Sequence, residues 1–303
     1  MLPDQTGLDW PHASRATYLI TQSFRYEYRE PITDLNHRLV VIPPERFGDQ
    51  RRLGHRLSIG ALARRPCGAL PNSLDGVRLE HRQDRFDNFV VDVVAPRVPF
   101  AIEFLAEVSV ERCAAQPNRL PAGWLGDGYL LEPTRLTAAD ARIRRAAEDL
   151  AACAPWGLEL ADRINDWVYQ SMTYQVGVTG VRTTASEALG LGFGVCQDYA
   201  HVMLATCRAS GLPSRYVSGH MVGQGGTHAW VEVVLPAGDA SGEAIAWAFD
   251  PTHAGRGGLG YVTIAVGGDY WDVAPTSGTY QSRAAGRLIT RKSVTVTEVE
   301  YAG

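Results

Sequence analysis

The chain has 303 residues, 45% of them apolar and 20% charged, with a net charge of −4. That length suits two domains, each with its own core, in the composition of an ordinary soluble protein. The charge gives no reason to expect nucleic-acid or membrane binding, and no apolar run approaches the roughly 18 residues of a membrane span.

The N-terminal MLPDQTGLDWPHASR lacks the charged start and apolar run of a signal peptide. The only basic concentration, Arg46, Arg51, Arg52, Arg56, Arg64 and Arg65, reads as a solvated face. Cys67, Cys113, Cys153, Cys196 and Cys207 are scattered without a CxxC pair, so neither a disulfide framework nor a zinc ribbon is indicated. Reduced thiols and a cytoplasmic location are expected.

Residues 1–116 read as strands between turns. TYLITQSFRYEY places Tyr18, Ile20, Gln22, Phe24, Tyr26 and Tyr28 on one side of a strand. HRLVVIPP, VRLEHRQDRFDNFVVDVVAP and FAIEFLAEVSVER follow, with turns at Pro43-Pro44, Pro71-Asn72 and Asp87-Asn88. Repeated short strands predict a β-sandwich. Residues 117–133, rich in Pro and Gly, read as a linker, and 134–303 as a second domain. There Thr137 and Asp140 form a predicted capping box before Ile143, Ala147 and Leu150. A second helix begins near Gly157 with Leu160, Ile164, Trp167, Val168 and Met172 on one face. A third begins at or just before Cys196 and stops at Gly211 and Pro213. The strand-like runs SRYVSGHMVG, THAWVEVVLP, AIAWAFDPTH and YVTIAV complete an α+β pattern.

Three residues in this second half carry chemistry together. Cys196 follows Gly192, Gly194 and Val195 into a helix start, where the helix dipole favours a thiolate. The glycines keep bulk away from the sulfur, and the unpaired N–H of Cys196 can face an oxyanion. His228 opens a strand and can take and return the thiol proton. Asp250 closes another strand, on a face shared with Ala244, Ala246 and Ala248, and can orient the imidazole. The other four cysteines lack this context and read as packing or incidental thiols. Gln197, Tyr174 and Trp230 are candidates for oxyanion or substrate contacts. His201, His220, His228 and His253, with Asp198 and Asp250, hold no HExxH-like spacing, and no EF-hand-like loop is present, so no metal or other cofactor is expected.

GFGVCQDYAHVMLATCRASGLPSRYVSGHM, GGTHAWVEVVLP and WAFDPTH resemble the core motifs of the bacterial transglutaminase-like superfamily, whose fold is papain-like. The first 115 residues, with PPERFGDQ and DRFDNFVVDV, resemble the β-rich domain that precedes that core in the bacterial proteins. YVTIAVGGDYWDVAPTSGTY resembles their C-terminal portion. The resemblance implies Cys196 as nucleophile, His228 as base and Asp250 as orienting acid. His253 stands where such proteins more often have Asn.

The expectation is therefore an α+β protein: an N-terminal β-sandwich followed by a papain-like, transglutaminase-like core, with a nucleophile helix packed on an antiparallel sheet. Its chemistry is cysteine-dependent acyl transfer through a thioester, with hydrolysis of a peptide or carboxamide bond preferred because water needs no second binding site. Transfer to an amine, or a non-catalytic binding module with a vestigial triad, are the alternatives. The partner is a protein or peptide substrate, not nucleic acid or membrane, and a homo-oligomer is left open.

Overall fold

In the computed structural model residues 7–62, 75–113 and 118–301 are described, so Arg64, Arg65, Cys67, the Pro71-Asn72 turn and Pro117 lie outside them. The chain divides into two compact units: residues up to Cys113 with Met221–Thr227 and the chain from Ala274 onward, and Ala114–His220 with His228–Val273.

The first unit opens with β1 (Ala13–Tyr28), β2 (Ile32–Ile42), β3 (Arg46–Phe47), β4 (Gln50–Leu62), β5 (Arg78–Gln83), β6 (Phe89–Val98) and β7 (Ala101–Cys113). The period-two pattern of β1 is realised: Tyr18, Ile20, Gln22, Phe24 and Tyr28 are buried. Each buried aromatic of this kind contributes about 1.5–3 kcal/mol of transfer free energy. Gln22 is tolerated inside because its Nε2 donates to the Val41 carbonyl at 3.0 Å. His37 of β2 stacks on Phe104 of β7 at 4.7 Å between centroids. Burial pushes its imidazole down to about 4, so it packs as a neutral ring.

The second unit starts where the sequence predicts a linker. β8 (Asn118–Leu120), a 3-10 turn (Ala122–Gly126) and α1 (Gly128–Leu131) are ordered parts of it. β8 adds to a sheet edge, Leu120 opposite Ala244 and Asn118 opposite Ala246. Arg119 pins it through Asp239 (2.7 Å) and Glu243 (2.9 Å), and Leu130 is fully buried. Pro and Gly here set turns without making the segment a spacer.

α2 (Ala141–Cys153) and α3 (Leu158–Ser171) follow. The predicted Thr137 cap is replaced by Asp140, whose Oδ1 accepts from the Arg142 and Ile143 amides at 3.0 Å. Thr137 is instead buried, its hydroxyl accepting from Arg208 at 2.7 Å. A short β9 (Thr173–Tyr174), α4 (Ala185–Leu191) and β10 (Phe193–Gly194) lead into α5 (Cys196–Ala209). The sequence reading missed α4, although Thr184 and Glu187 form a complete capping box at its start.

α5 is buried continuously from Asp198 to Arg208, with α2, α3, α4 and a central strand packed around it. That strand, β12 (His228–Pro236), lies between β11 (Ser214–Met221) and β13 (Ala244–Asp250), antiparallel to both. β14 (Gly255–Arg256) and β15 (Tyr261–Gly267) close the sheet in the order β14-β13-β12-β11-β15, and α6 (Tyr270–Val273) ends the unit. Seven of the nine residues of β12 are apolar or proline apart from His228 and Glu232, and all but Pro236 are buried. It is a strand covered on both faces.

The last two strands correct the predicted boundary. β16 (Thr276–Gln281) pairs with β2, and β17 (Gly286–Tyr301) runs antiparallel to β1 along its full length, so neither belongs to the core domain. The first unit is thus two sheets, β17-β1-β7-β4-β3 and β16-β2-β6-β5. Without β17 the outer edge of β1 would carry a long row of unpaired N–H and C=O groups. Among the described residues no helix is long and apolar enough to cross a membrane.

Candidate active site

The residues singled out in the sequence meet where α5, β12 and β13 converge. Val195 caps α5 in an extended conformation, so Cys196 is its first helical residue, half-buried, with its N–H ahead of the intrahelical bonds. Asp198 secures this turn. Its Oδ2 accepts from the Val195 amide at 2.8 Å and from the Thr179 hydroxyl at 2.6 Å. A side chain at Gly194 would strike Asp198, which gives that glycine a steric reason separate from access to the sulfur.

His228 stands at the start of β12, and the β12–β13 ladder ends at Val231 opposite Phe249. Asp250 lies one residue past that pair and reaches diagonally to His228, with Nε2 and Oδ2 2.7 Å apart and both side chains buried. A second side-chain hydrogen bond joins His228 to Cys196. Burial alone would lower the His228 pKa, but the bonds to Asp250 and Cys196 outweigh it and raise it to about 9. Burial opposes ionisation of Asp250 too, yet its hydrogen bonds and the charge of His228 bring it down to about 2.

Asp250 serves more partners than the sequence reading foresaw. Its Oδ2 also accepts from His253 Nδ1 and the Tyr261 hydroxyl, each at 2.8 Å, while Oδ1 accepts from the Thr252 amide at 2.9 Å. His253, the departure from the motif, therefore makes a direct contact. Tyr261 arrives from β15 and left no signal in the sequence. His253→Ala is expected to lower kcat/KM about three- to tenfold by loosening the carboxylate, a loss near that of one ordinary hydrogen bond, since the His253 side chain is partly exposed. His253→Asn should recover most of it, as read in the same assay.

The remaining candidates separate. Tyr174 is 53% exposed and sits beside the nucleophile turn, because β9 and β10 pair in parallel with Tyr174 opposite Gly194. Its hydroxyl is raised above the usual phenol range, first by partial burial and next by the Cys196 sulfur. Gln197 is half-buried in the first turn of α5. Trp230 is a correction. At 2% exposure it offers no face to a substrate, and instead its ring lies over His228 (6.1 Å between centroids) and against Tyr261 (5.4 Å). It backs the imidazole. A Cβ at Gly219 would run into the Val262 carbonyl and the far edge of that indole. Gly219→Ala is expected to destabilise the fold by about 3 kcal/mol, measured by urea unfolding.

His201 and His220 are buried on α5 and β11 and do not join the cluster; His201 Nε2 accepts from the Tyr270 amide at 3.3 Å. The donor atoms of His228, Asp250 and His253 lie within 4.8 Å of one another, compact enough for a metal ion, although each is engaged in the hydrogen bonds above.

A buried histidine held between a carboxylate and a thiol at a helix start, on an α+β core, is the arrangement that a cysteine nucleophile site requires. Residues 144–248, which include Cys196 and His228, match the model of the Transglutaminase-like superfamily. An uncharacterized protein of Mycobacterium leprae is 32% identical over 166 residues, 52% of this chain and 56% of that protein, so the match spans about half of that relative. One from Mycobacterium tuberculosis is 27% identical over 98% of this chain and 97% of its own length. A crystal structure of a candidate cysteine protease from Cytophaga hutchinsonii shares the fold, with a TM-score of 0.73, 19% identity, and 96% of this chain and 93% of that chain covered.

Proposed function

We propose that Cys196, His228 and Asp250 act as a triad that transfers an acyl group through a thioester, with water as the usual acceptor. The observation that supports this most is the His228 ring itself: Nε2 is committed to Asp250 at 2.7 Å, which leaves the other nitrogen for Cys196. The Cys196 thiolate attacks a peptide or carboxamide carbonyl, and the oxyanion faces the Cys196 N–H, with Tyr174 the candidate second donor. The tetrahedral adduct collapses, the C–N bond breaks, and His228 gives its proton to the leaving amine. His228 then takes a proton from water, the hydroxide attacks the thioester, and the acid leaves as the sulfur is reprotonated.

The test is mass spectrometry of peptide and glutamine-containing substrates, incubated with a primary amine, comparing wild type with Cys196→Ala. Cleavage or deamidation dependent on Cys196 supports hydrolysis. Gain of the amine's mass would make the enzyme a transferase, and no Cys196-dependent product would refute the acyl-transfer reading. We also propose a cytoplasmic location, since a reducing compartment would keep the Cys196 thiol available for this chemistry.

A further inference from the structure

The turn that presents Cys196 is flanked by apolar side chains that the core does not use. Tyr174 and Val176 are 53% and 77% exposed, and Val178 and Phe193 are also open to solvent. These residues belong to the framework of the nucleophile itself. The Thr173 amide donates to the Gly192 carbonyl at 2.9 Å and the Gln175 amide to the Gly194 carbonyl at 2.8 Å, two residues before Cys196. Thr179 continues the attachment through Asp198 in the first turn of α5. No charged side chain occurs from Ser171 to Val181 or from Gly190 to Gln197. In a chain that is 20% charged, the exposed side chains on these two stretches nearest the nucleophile turn, Tyr174, Val176, Val178 and Phe193, are all uncharged.

We propose that the segment 174–178, with Phe193, forms the subsite for the substrate residue next to the attacked carbonyl, and that it takes an uncharged apolar or aromatic side chain of a peptide. This rests on the acyl-transfer reading above. The occupant is a peptide because the subsite is continuous with the sulfur that attacks its carbonyl. It is apolar because a charged side chain laid against Tyr174, Val176, Val178 and Phe193 would lose hydration and gain no counter-charge from them. Burying one leucine or phenylalanine side chain offsets about 1.5–3 kcal/mol, enough to set a preference of ten- to a hundredfold in kcat/KM.

The experiment is turnover by the full chain of a defined peptide mixture in which the residues flanking each amide are leucine, phenylalanine, glutamate or arginine. Products are sorted by mass spectrometry. Wild type is expected to favour leucine and phenylalanine at least tenfold. Val176→Asp and, independently, Val178→Asp should lower kcat/KM for those peptides about tenfold through KM and raise the relative rate for arginine peptides. Their rates of Cys196 alkylation by iodoacetamide should stay within about twofold of wild type, which separates a lost subsite from a damaged nucleophile. Turnover without preference among the side chains, or two aspartate variants with unchanged selectivity, would overturn the subsite and leave the chemistry standing. If no peptide is turned over although Cys196 alkylates normally, the acyl-transfer reading falls and the subsite with it.

Discussion

Cys196→Ala is expected to lower kcat/KM by at least about 10⁴-fold while leaving the fold intact, because removal of one member of a nucleophile–base unit costs nearly as much as removal of the whole. Alanine at the first position of α5 is a good helix former, and the turn before it is held by Asp198 rather than by the cysteine. Circular dichroism and urea unfolding should therefore be close to wild type. The chemical counterpart is selective alkylation. Cys207 is fully buried and its thiol is pushed up to about 12, so it is inert near neutrality. Cys153 is exposed and serves as the reference thiol. With the His228 imidazolium beside it, Cys196 should react with iodoacetamide faster than Cys153 between pH 6 and 7. Equal rates and equal pH dependence at the two thiols would remove the basis for an activated nucleophile.

The parts of this site that could be read in the sequence are those whose cause is local. The start of α5 is written in Gly192, Gly194 and Val195, and the strand of His228 in the run Ala-Trp-Val-Glu-Val-Val-Leu. β1 is legible for the same reason, since alternation needs only its own residues. What escaped depends on elements far apart in the chain. Tyr261 reaches Asp250 from β15, and nothing near residue 261 signals it. The burial of Trp230 follows from the cover on both faces of β12, which its own alternation does not reveal. β17 shows a strand pattern, but only the open edge of β1, at the other end of the chain, decides where it pairs. A pattern of residues specifies an element; the vacant edge or face that receives it is a property of the rest of the fold.

Asp250→Asn is expected to reduce kcat/KM about 10³–10⁴-fold and to move the alkaline limb of the pH profile downward. The geometry should survive, since an amide oxygen can occupy the place of Oδ2. The electrostatics should not. His228 is about 9 because the bonds to Asp250 and Cys196 outweigh its burial, and losing the carboxylate charge lets burial prevail. In wild type the proton that His228 gives to the leaving amine is retained until pH approaches 9, whereas the variant should lose it near or below neutrality. The asparagine can also favour the wrong imidazole tautomer, which accounts for a loss far beyond a single hydrogen bond. Stability should change with a definite sign. His228 is raised above its ordinary 6.5, so its contribution is full below that value and is lost as pH rises through about 9. Asp250 is lowered from 3.8, so its contribution is full above that value and is lost as pH falls through about 2. The difference in unfolding free energy between wild type and Asp250→Asn should therefore be largest between roughly pH 4 and 6.5 and should shrink on either side. A difference that stayed flat from pH 3 to 10 would mean that the two residues touch without being coupled, and that Asp250 only fills space beside His228.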